Sequence, residues 1–571
     1  MALCDIANEC RNSKPDACIA LATQALEKSE KIGFGKGTRL WCRVFWEIFC
    51  IFASVLKDSA IMQKYPLGIQ DFRELRENGY LYVDKTEHIY QLLEHKYFFF
   101  SHPRRFGKSL LLSTLKYLFQ GRQALFEGLW IHDKIEWKEH PILHLSFIES
   151  GFHSIGFEKY LHLKIEEQAK LHEIVLKSTD ISNKMRELIA TLSKKHGKGV
   201  VLLIDEYDKP ITEFLRKDQI HIAEENRELM RQFYSPLKDL DANLRFIFIT
   251  GVSKFSKVSI FSDLNHLEDI TIGGNFATLL GYTETEIEHY FHDKIQEIAD
   301  YQELTYEACF AKMRLWYNGY SWNKGKDKVY NPTSILNFLE DGEFKNYWFE
   351  TGTPTFLINM MSERFHYNVE DIEASENLLN NFRLEALDDI TLLFQTGYLT
   401  IKDEDDGIYT LTYPNQEVRD SMLQYLLSEF SYKHNVKPIV RDMFRCLGKR
   451  DFKQLFELFN SILGEIPYQI FDAKQEKYYH AVIFLTFRLL GYYAQAEPSV
   501  GKGRIDAVVE TSDGIFIFEF KVNGTLVQAM QQIHDNKYYQ RYVASSKEIY
   551  LLAVVCKDKE LKEYQVEKFE K

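Results

Sequence analysis

The chain has 571 residues, 45% apolar and 27% charged, and a formal net charge of −13. That length allows about two to four domains without a disulfide staple, and the acidic balance argues against a broad non-specific nucleic-acid surface while leaving room for local basic sites. Leu40 to Leu56 comes nearest to a membrane span but contains Arg43 and Glu47, and the N-terminus lacks a basic-then-apolar leader, so the expected location is cytoplasmic, with no membrane partner.

Residues 1–61 read as an appendix. Asp16 to Ile32 is alanine-rich and helical, Gly33 to Gly37 breaks it, and a second helix runs from about Thr38 to Leu56. The pair resembles one tetratricopeptide repeat, which cannot bury its own apolar face, and so offers a surface for self-association or a protein partner. Five of the eight cysteines lie in the first fifty residues and none forms a Cys-x-x-Cys pair, which fits reduced thiols.

From Met62 to about Asp263 strands and helices alternate, the pattern of a parallel sheet covered on both faces. Short helices at Phe72–Leu75 and Thr86–Leu93, the second capped by Asp84 or Thr86, precede the stretch Lys96 to Leu118. Tyr97 to Phe100 suits a buried strand, and Ser101 to Phe106, with Pro103, reads as a loop. Gly107-Lys108-Ser109 then opens a helix whose apolar residues Leu110, Leu111, Leu112, Leu115 and Leu118 continue at helical spacing. Strand, loop, Gly-Lys-Ser and helix is the layout of a phosphate-binding loop. Free N–H groups at the helix start face an anion, Lys108 would reach the β- and γ-phosphates of ATP, and the Ser109 hydroxyl would take a place on Mg²⁺. His102 stands where the generic pattern has its first glycine.

Ile142 to Phe147 is the next strand, followed by helices over Glu158–Leu176 and Ile181–His196. Val200 to Ile204 is continuously apolar, as in a strand buried on both faces, and it ends in Asp205-Glu206 at the sheet's carboxyl edge. Asp205 would hold the Mg²⁺ shell and Glu206 would polarise the attacking water. Leu244 to Thr250 is a further strand, and Thr250 either senses the γ-phosphate or begins an ordinary turn.

The segments Tyr65 to Phe72, Tyr82 to Thr86, Pro103 to Ser109, Leu203 to Asp208, Phe248 to Phe255, Trp316 to Tyr320 and Tyr330 to Pro332 together resemble the bacterial AAA-ATPase-like family. The resemblance runs from about Met62 to the C-terminus. It implies ATP and Mg²⁺ as cofactors, and Arg104 and Arg105 beside Gly107, Lys108 and Ser109 as the family's own form of the loop. It also implies a C-terminal domain of the PD-(D/E)XK nuclease superfamily.

Residues 264–464 turn mostly helical. Thr283 to Glu286 fits a capping box ahead of Ile287 and Phe291. Trp316 to Trp322 reads as a small aromatic core around a tight turn or, alternatively, as a stacking platform for a base. Gly397–Ile401 and Ile408–Tyr413 form a hairpin around an acidic turn, with a helix from Gln416. Helices plus a hairpin resemble a winged-helix lid, and the acid-rich tip Asp403 to Asp406 makes DNA contact there unfavourable.

Residues 465–571 form a separate α/β unit with 14 Lys/Arg and 14 Asp/Glu from Pro467 onward, so the excess acid lies upstream. Strands Arg504–Glu510 and Ile515–Val522 flank a four-residue turn, which sets Glu510 opposite Ile515, Asp506 opposite Glu519 and Arg504 opposite Lys521. Alternation then places Asp506, Glu519 and Lys521 on one face. Two facing carboxylates repel unless a cation lies between them. Asp506 and Glu519 would hold one or two Mg²⁺, with Lys521 orienting water or stabilising charge on phosphorus. The Asp…Glu-x-Lys arrangement resembles a restriction-endonuclease-like core. The resemblance implies Glu476 as an additional metal acid, one helical turn before His480, and Gln532 on a helix over Gln528–Tyr539 as a polar residue touching the site. The chain thus reads as an α/β protein: a P-loop ATPase core (62–263), a helical and winged-helix-like lid (264–464) and a nuclease-like domain (465–571), with DNA as the expected nucleic-acid partner. The alternative is a nucleotide-operated signalling switch whose C-terminal unit only binds.

Overall fold

The computed structural model describes residues 64–570 apart from 150, 217, 255–259, 262–263, 265, 349–354, 381–387, 467–474, 492–494 and 502–503. The helical pair expected over 1–61 lies outside the described residues. Strands β1 (Tyr97–Ser101), β2 (Ile142–Ser146), β3 (Val200–Asp205), β4 (Leu244–Gly251) and β5 (Glu268–Asp269) form one sheet in the order β2-β3-β4-β1-β5. Every pairing in it is parallel. All residues of β1 and β3 are buried, as their apolar runs require once helices cover both faces. The order matters for chemistry: β4 lies between β1 and β3, so the carboxyl end of β4 lies between the loop after β1 and the acids after β3.

Helix α1 spans Phe72–Glu77, and the helices among these strands include α2 (Thr86–Leu92), α3 (Lys108–Phe119), α4 (Phe157–Leu171), α5 (Ile181–His196) and α6 (Ile220–Tyr234). Asp84 rather than Thr86 steadies the start of α2, its Oδ1 accepting from the Thr86 N–H at 2.8 Å and the Thr86 hydroxyl at 2.6 Å. Helix α4 stops short of the expected Leu176, because Glu173 takes a left-handed φ of 54°.

Between the parallel sheet and the C-terminal unit lie α7 (Glu284–Tyr301), α8 (Tyr306–Tyr317), α9 (Pro332–Asp341), α10 (Asp389–Thr396), α11 (Gln416–Ser431), α12 (Val436–Lys449) and α13 (Phe452–Leu463). The capping box at Thr283 and Glu286 is formed. The expected hairpin gains a strand: β6 (Ile372–Ser375) joins β7 (Thr400–Asp405) and β8 (Ile408–Thr412) in the antiparallel order β6-β8-β7. The aromatic segment is core. Trp316, Tyr317, Tyr320 and Trp322 are buried, the Tyr320 and Trp322 rings stack at 5.9 Å, and Phe106 meets Tyr320 edge-on at 4.9 Å. No open ring face is left for a base.

The C-terminal unit consists of α14 (Gln475–Leu490), β9 (Gln495–Gly501), β10 (Arg504–Glu510), β11 (Gly514–Val522), α15 (Leu526–Asp535), β12 (Glu548–Lys557) and β13 (Glu560–Phe569). Its sheet runs β13-β12-β11-β10-β9, with β11–β12 the parallel pair that α15 connects. The hairpin register is the expected one, Glu510 opposite Ile515 and Asp506 opposite Glu519. The β10–β11 ladder begins at Ile505–Phe520, one step before the expected Arg504–Lys521 position, and on its other edge Arg504 pairs with Gly501 of β9. Helix α15 is shorter than expected, because Lys537 adopts a φ of 49°. Phe518 packs on Phe487 of α14 at 4.9 Å, while Ile515 and Ile517 bury the other face against Ala529, Met530 and Ile533 of α15. The second face is therefore apolar as far as Ile517 and turns polar only at Glu519 and Lys521.

Candidate active site

Two sites emerge, one at the carboxyl edge of the parallel sheet and one on the C-terminal hairpin. At the first, β1 delivers the chain into the loop and Gly107, at φ 102°, turns it into α3. A side chain at that left-handed position would strain the turn. Lys108 is buried, and its ammonium donates to the carbonyls of His102 at 2.7 Å and Pro103 at 2.9 Å. Burial pulls its pKa down, opposed by the nearby acids Asp205, Glu206 and Asp208.

Ser109 donates from Oγ to Asp205 Oδ2 at 2.6 Å, and Thr250 donates from Oγ1 to Asp205 Oδ1 at 2.8 Å. The first turn of α3 and the ends of β3 and β4 thus place a serine, an aspartate and a threonine in one hydrogen-bonded row. Asp205 is only 2% exposed, so its carboxylate is held in place on both oxygens. Ser109 and Asp205 offer hard oxygen donors, the set Mg²⁺ takes. Glu206 follows with a left-handed φ of 51°, and burial is the main cause that raises its carboxyl above the usual carboxylate range.

Asp208 plays a part that sequence reading missed, although it lies within the quoted motif. Its carboxylate accepts from the N–H groups of Val252 and Ser253 at 3.1 and 2.8 Å and from Ser253 Oγ at 2.7 Å. It clamps the segment that follows Thr250 to the one that follows Asp205. His102 replaces glycine for a packing reason: its ring lies 4.0 Å from Trp322 and 4.6 Å from Phe106.

Arg104 and Arg105 are exposed at the loop tip, with Arg105 at φ 69°. Their carbonyls accept from residues that follow the sheet in the chain, Arg104 from Trp348 Nε1 at 3.2 Å and Arg105 from Thr333 Oγ1 at 3.2 Å. Glu417 of α11 organises both holders. It is fully buried and accepts from the Tyr347 and Trp348 N–H groups at 2.6 and 2.7 Å and from Ser334 Oγ at 2.8 Å. Nothing in the sequence marks it, because a glutamate in a helix's first turn ordinarily faces water.

Burial pushes the Glu417 carboxyl from 4.5 up to about 7, against those hydrogen bonds. A folded-state pKa above the unfolded one means stability present at low pH and lost as pH rises from 4.5 through about 7. Glu417→Gln is therefore expected to match the parent at about pH 4, below the unfolded value, and exceed it by about 3 kcal/mol at about pH 8 in denaturant titrations. Equal stability at the higher pH would mean that the buried carboxyl is not the cause.

On the hairpin, Glu519 is fully buried and Lys521 Nζ donates to its Oε1 at 2.9 Å. Lys521 also donates to Gln532 Oε1 of α15, and Gln532 Nε2 donates to the Tyr538 hydroxyl at 3.4 Å. The backbone of β10 places Asp506 directly opposite Glu519, and Glu476 lies in the first turn of α14. The side chains of Asp506 and Glu476 lie outside the described residues. Among the described residues no three His, Cys, Asp or Glu side chains gather as a metal site, so a cation here would depend on those two acids joining Glu519. Among the described residues, too, no helix is long and apolar enough to cross a membrane.

The family model described as predicted AAA-ATPase matches residues 66–261, and the PD-(D/E)XK nuclease superfamily model matches residues 474–565. A protein of Azotobacter chroococcum mcd 1, described as an uncharacterized protein in the vnfD 5'region, is 39% identical over 514 residues, covering 86% of this chain and 96% of its own length.

Proposed function

The chain belongs to the AAA-ATPase-like family with a PD-(D/E)XK nuclease superfamily domain toward its C-terminus, and on that premise we propose a cytoplasmic Mg²⁺-dependent ATPase whose nucleotide state gates a metal-dependent nuclease acting on DNA. The observation that carries the nucleotide half is the row Ser109–Asp205–Thr250 beside Lys108. Lys108 would release the loop carbonyls and bind the β- and γ-phosphates. Ser109 and Asp205 would hold Mg²⁺, which when bound neutralises the phosphates and polarises the γ-phosphoryl group. Glu206, next along the chain, would orient and deprotonate water, and Thr250 would touch the γ-phosphate.

The nuclease half is supported by a buried glutamate, its lysine and a facing aspartate position on one hairpin. Lys521 would be oriented by Gln532 toward the scissile phosphate. DNA as substrate, and the gating itself, follow from joining the two family resemblances in one chain.

Glu206→Gln tests the water-activating role. Nucleotide affinity should stay within about two-fold while turnover falls about 10²–10⁴-fold, the range for removal of a general base. The parent's turnover should rise with pH through a pKa above the ordinary carboxylate range, and the variant should lose that limb. Wild-type turnover in the variant would move the role to another residue. Metal-dependent cleavage of a DNA and RNA panel, with and without ATP, tests the fusion. Binding without cleavage would favour the switch in which the C-terminal unit only recognises its ligand.

A further inference from the structure

Helix α11 touches both halves of the chain. At its first turn Glu417 holds Ser334, Tyr347 and Trp348, and Trp348 with Thr333, the residue before Ser334, holds the carbonyls of Arg104 and Arg105. Pro103 seats on Gly397, where a Cβ would come within 2.7 Å of the proline's own Cβ and where φ is +89°. The arginine loop therefore rests on these later residues rather than on the parallel sheet alone.

Arg419 lies two residues beyond Glu417, about 200° round the helix axis, and so faces away from that loop. Its Nε donates to Glu370 Oε1 at 3.1 Å, and Glu370 Oε2 pairs with Arg488 Nη2 of α14 at 2.8 Å. At the far end of α11, Phe430 packs on Tyr478 of α14 with ring centroids 6.2 Å apart. The two helices run antiparallel, in contact over most of a rod about 24 Å long. Helix α14 is also the one whose Phe487 supports Phe518 of the hairpin and whose first turn carries Glu476.

We propose that α11 is a lever between the two sites: Glu417 is a positioning residue that, through Trp348 and Thr333, sets the Arg104–Arg105 loop for nucleotide phosphates, and the Arg419–Glu370–Arg488 bridge passes that setting to the helix carrying Glu476. The lever rests on the nucleotide-binding reading of the loop. It deepens that reading by naming the residues through which occupancy travels. A packed helix pair moves as a body, so a sub-ångström change at Arg104–Arg105 reaches α14 as a displacement instead of being absorbed locally. Coupling of this kind is reciprocal and must be measured between the sites, since contact alone does not establish it.

The experiment is hydrogen–deuterium exchange on the full chain, with and without a non-hydrolysable ATP analogue and Mg²⁺. The parent should gain protection over residues 103–109 and change exchange over residues 477–489. Thr333→Val with Trp348→Phe removes the two donors to the loop carbonyls. That double variant should raise KM for ATP about ten-fold, with a smaller change in kcat. Glu370→Gln cuts the bridge on a partly exposed side chain and should leave nucleotide affinity within about two-fold and protection of 103–109 intact, while the change over 477–489 disappears. Arg488→Gln should reproduce it, which guards against a local defect in either variant. A remote response that survives both substitutions, a parent without any remote response, or unchanged KM in the double variant overturns the lever. A parent that binds no nucleotide overturns the ATPase reading itself, and the lever with it.

Discussion

Lys108→Ala is expected to weaken ATP binding about a hundred-fold or more. Its ammonium is buried beside the helix start and donates to two loop carbonyls, 2.7 and 2.9 Å away. Charge-assisted hydrogen bonds to phosphate are worth about 1.5–3 kcal/mol each, and Lys108 can make more than one. The variant also strands the carbonyls of His102 and Pro103, so the loop itself should loosen and unfolding should shift to lower temperature. Isothermal titration with ATP and Mg²⁺ separates these effects from turnover. Unchanged affinity would remove the phosphate-loop assignment, whatever happens to stability.

Lys521→Ala and Glu519→Gln are expected to abolish nucleic-acid cleavage, by about 10³-fold or more, while ATP hydrolysis in the absence of nucleic acid continues. The separation is expected because the two sites lie on different sheets and share no side chain. Glu519 sits fully buried where the apolar face of the hairpin ends, and Lys521 shares its charge with that carboxylate and with Gln532. A cation held by Glu519 and Asp506 binds only the folded form. Mg²⁺ should therefore stabilise the parent, by about 2.7 kcal/mol at a hundred times the dissociation constant, and stabilise Glu519→Gln much less. Equal Mg²⁺ stabilisation in both would place the metal elsewhere, and full cleavage by Lys521→Ala would remove the nuclease assignment of this hairpin.

What was legible in the sequence was local. The apolar run Val200–Ile204 suits a strand buried on both faces, and the four-residue turn after Glu510 sets a register that buries Phe516, Phe518 and Phe520 together. Placing Asp506 opposite Glu519 was therefore arithmetic. The helix over Lys108–Phe119 and the capping box at Thr283 are short-range as well, set by side chains within one turn of each other. The overestimates had the same local character. The helix expected to reach Leu176 meets no glycine or proline between Leu171 and Leu176, but a left-handed turn at Glu173 redirects the chain, which composition does not reveal.

Local sequence sets the chemistry available around each strand end: a lysine and hydroxyl after β1, one acid at the end of β3 and another just after it, a threonine near the end of β4, and a carboxylate pair with a lysine on the hairpin. Which of these meet depends on how the strands pack. Inserting β4 between β1 and β3 is a choice of strand order that no period in the sequence encodes, and it alone brings Thr250 onto the same carboxylate as Ser109. Glu417 shows the same limit more sharply. Its sequence context is that of an exposed first-turn glutamate, and it becomes a buried anchor only because Ser334, Tyr347 and Trp348, all about seventy or more residues away, converge on it. Local patterns record what each segment can form, whereas the burial and partners of a polar group depend on contacts between segments distant in sequence, and those exist only once the chain has packed.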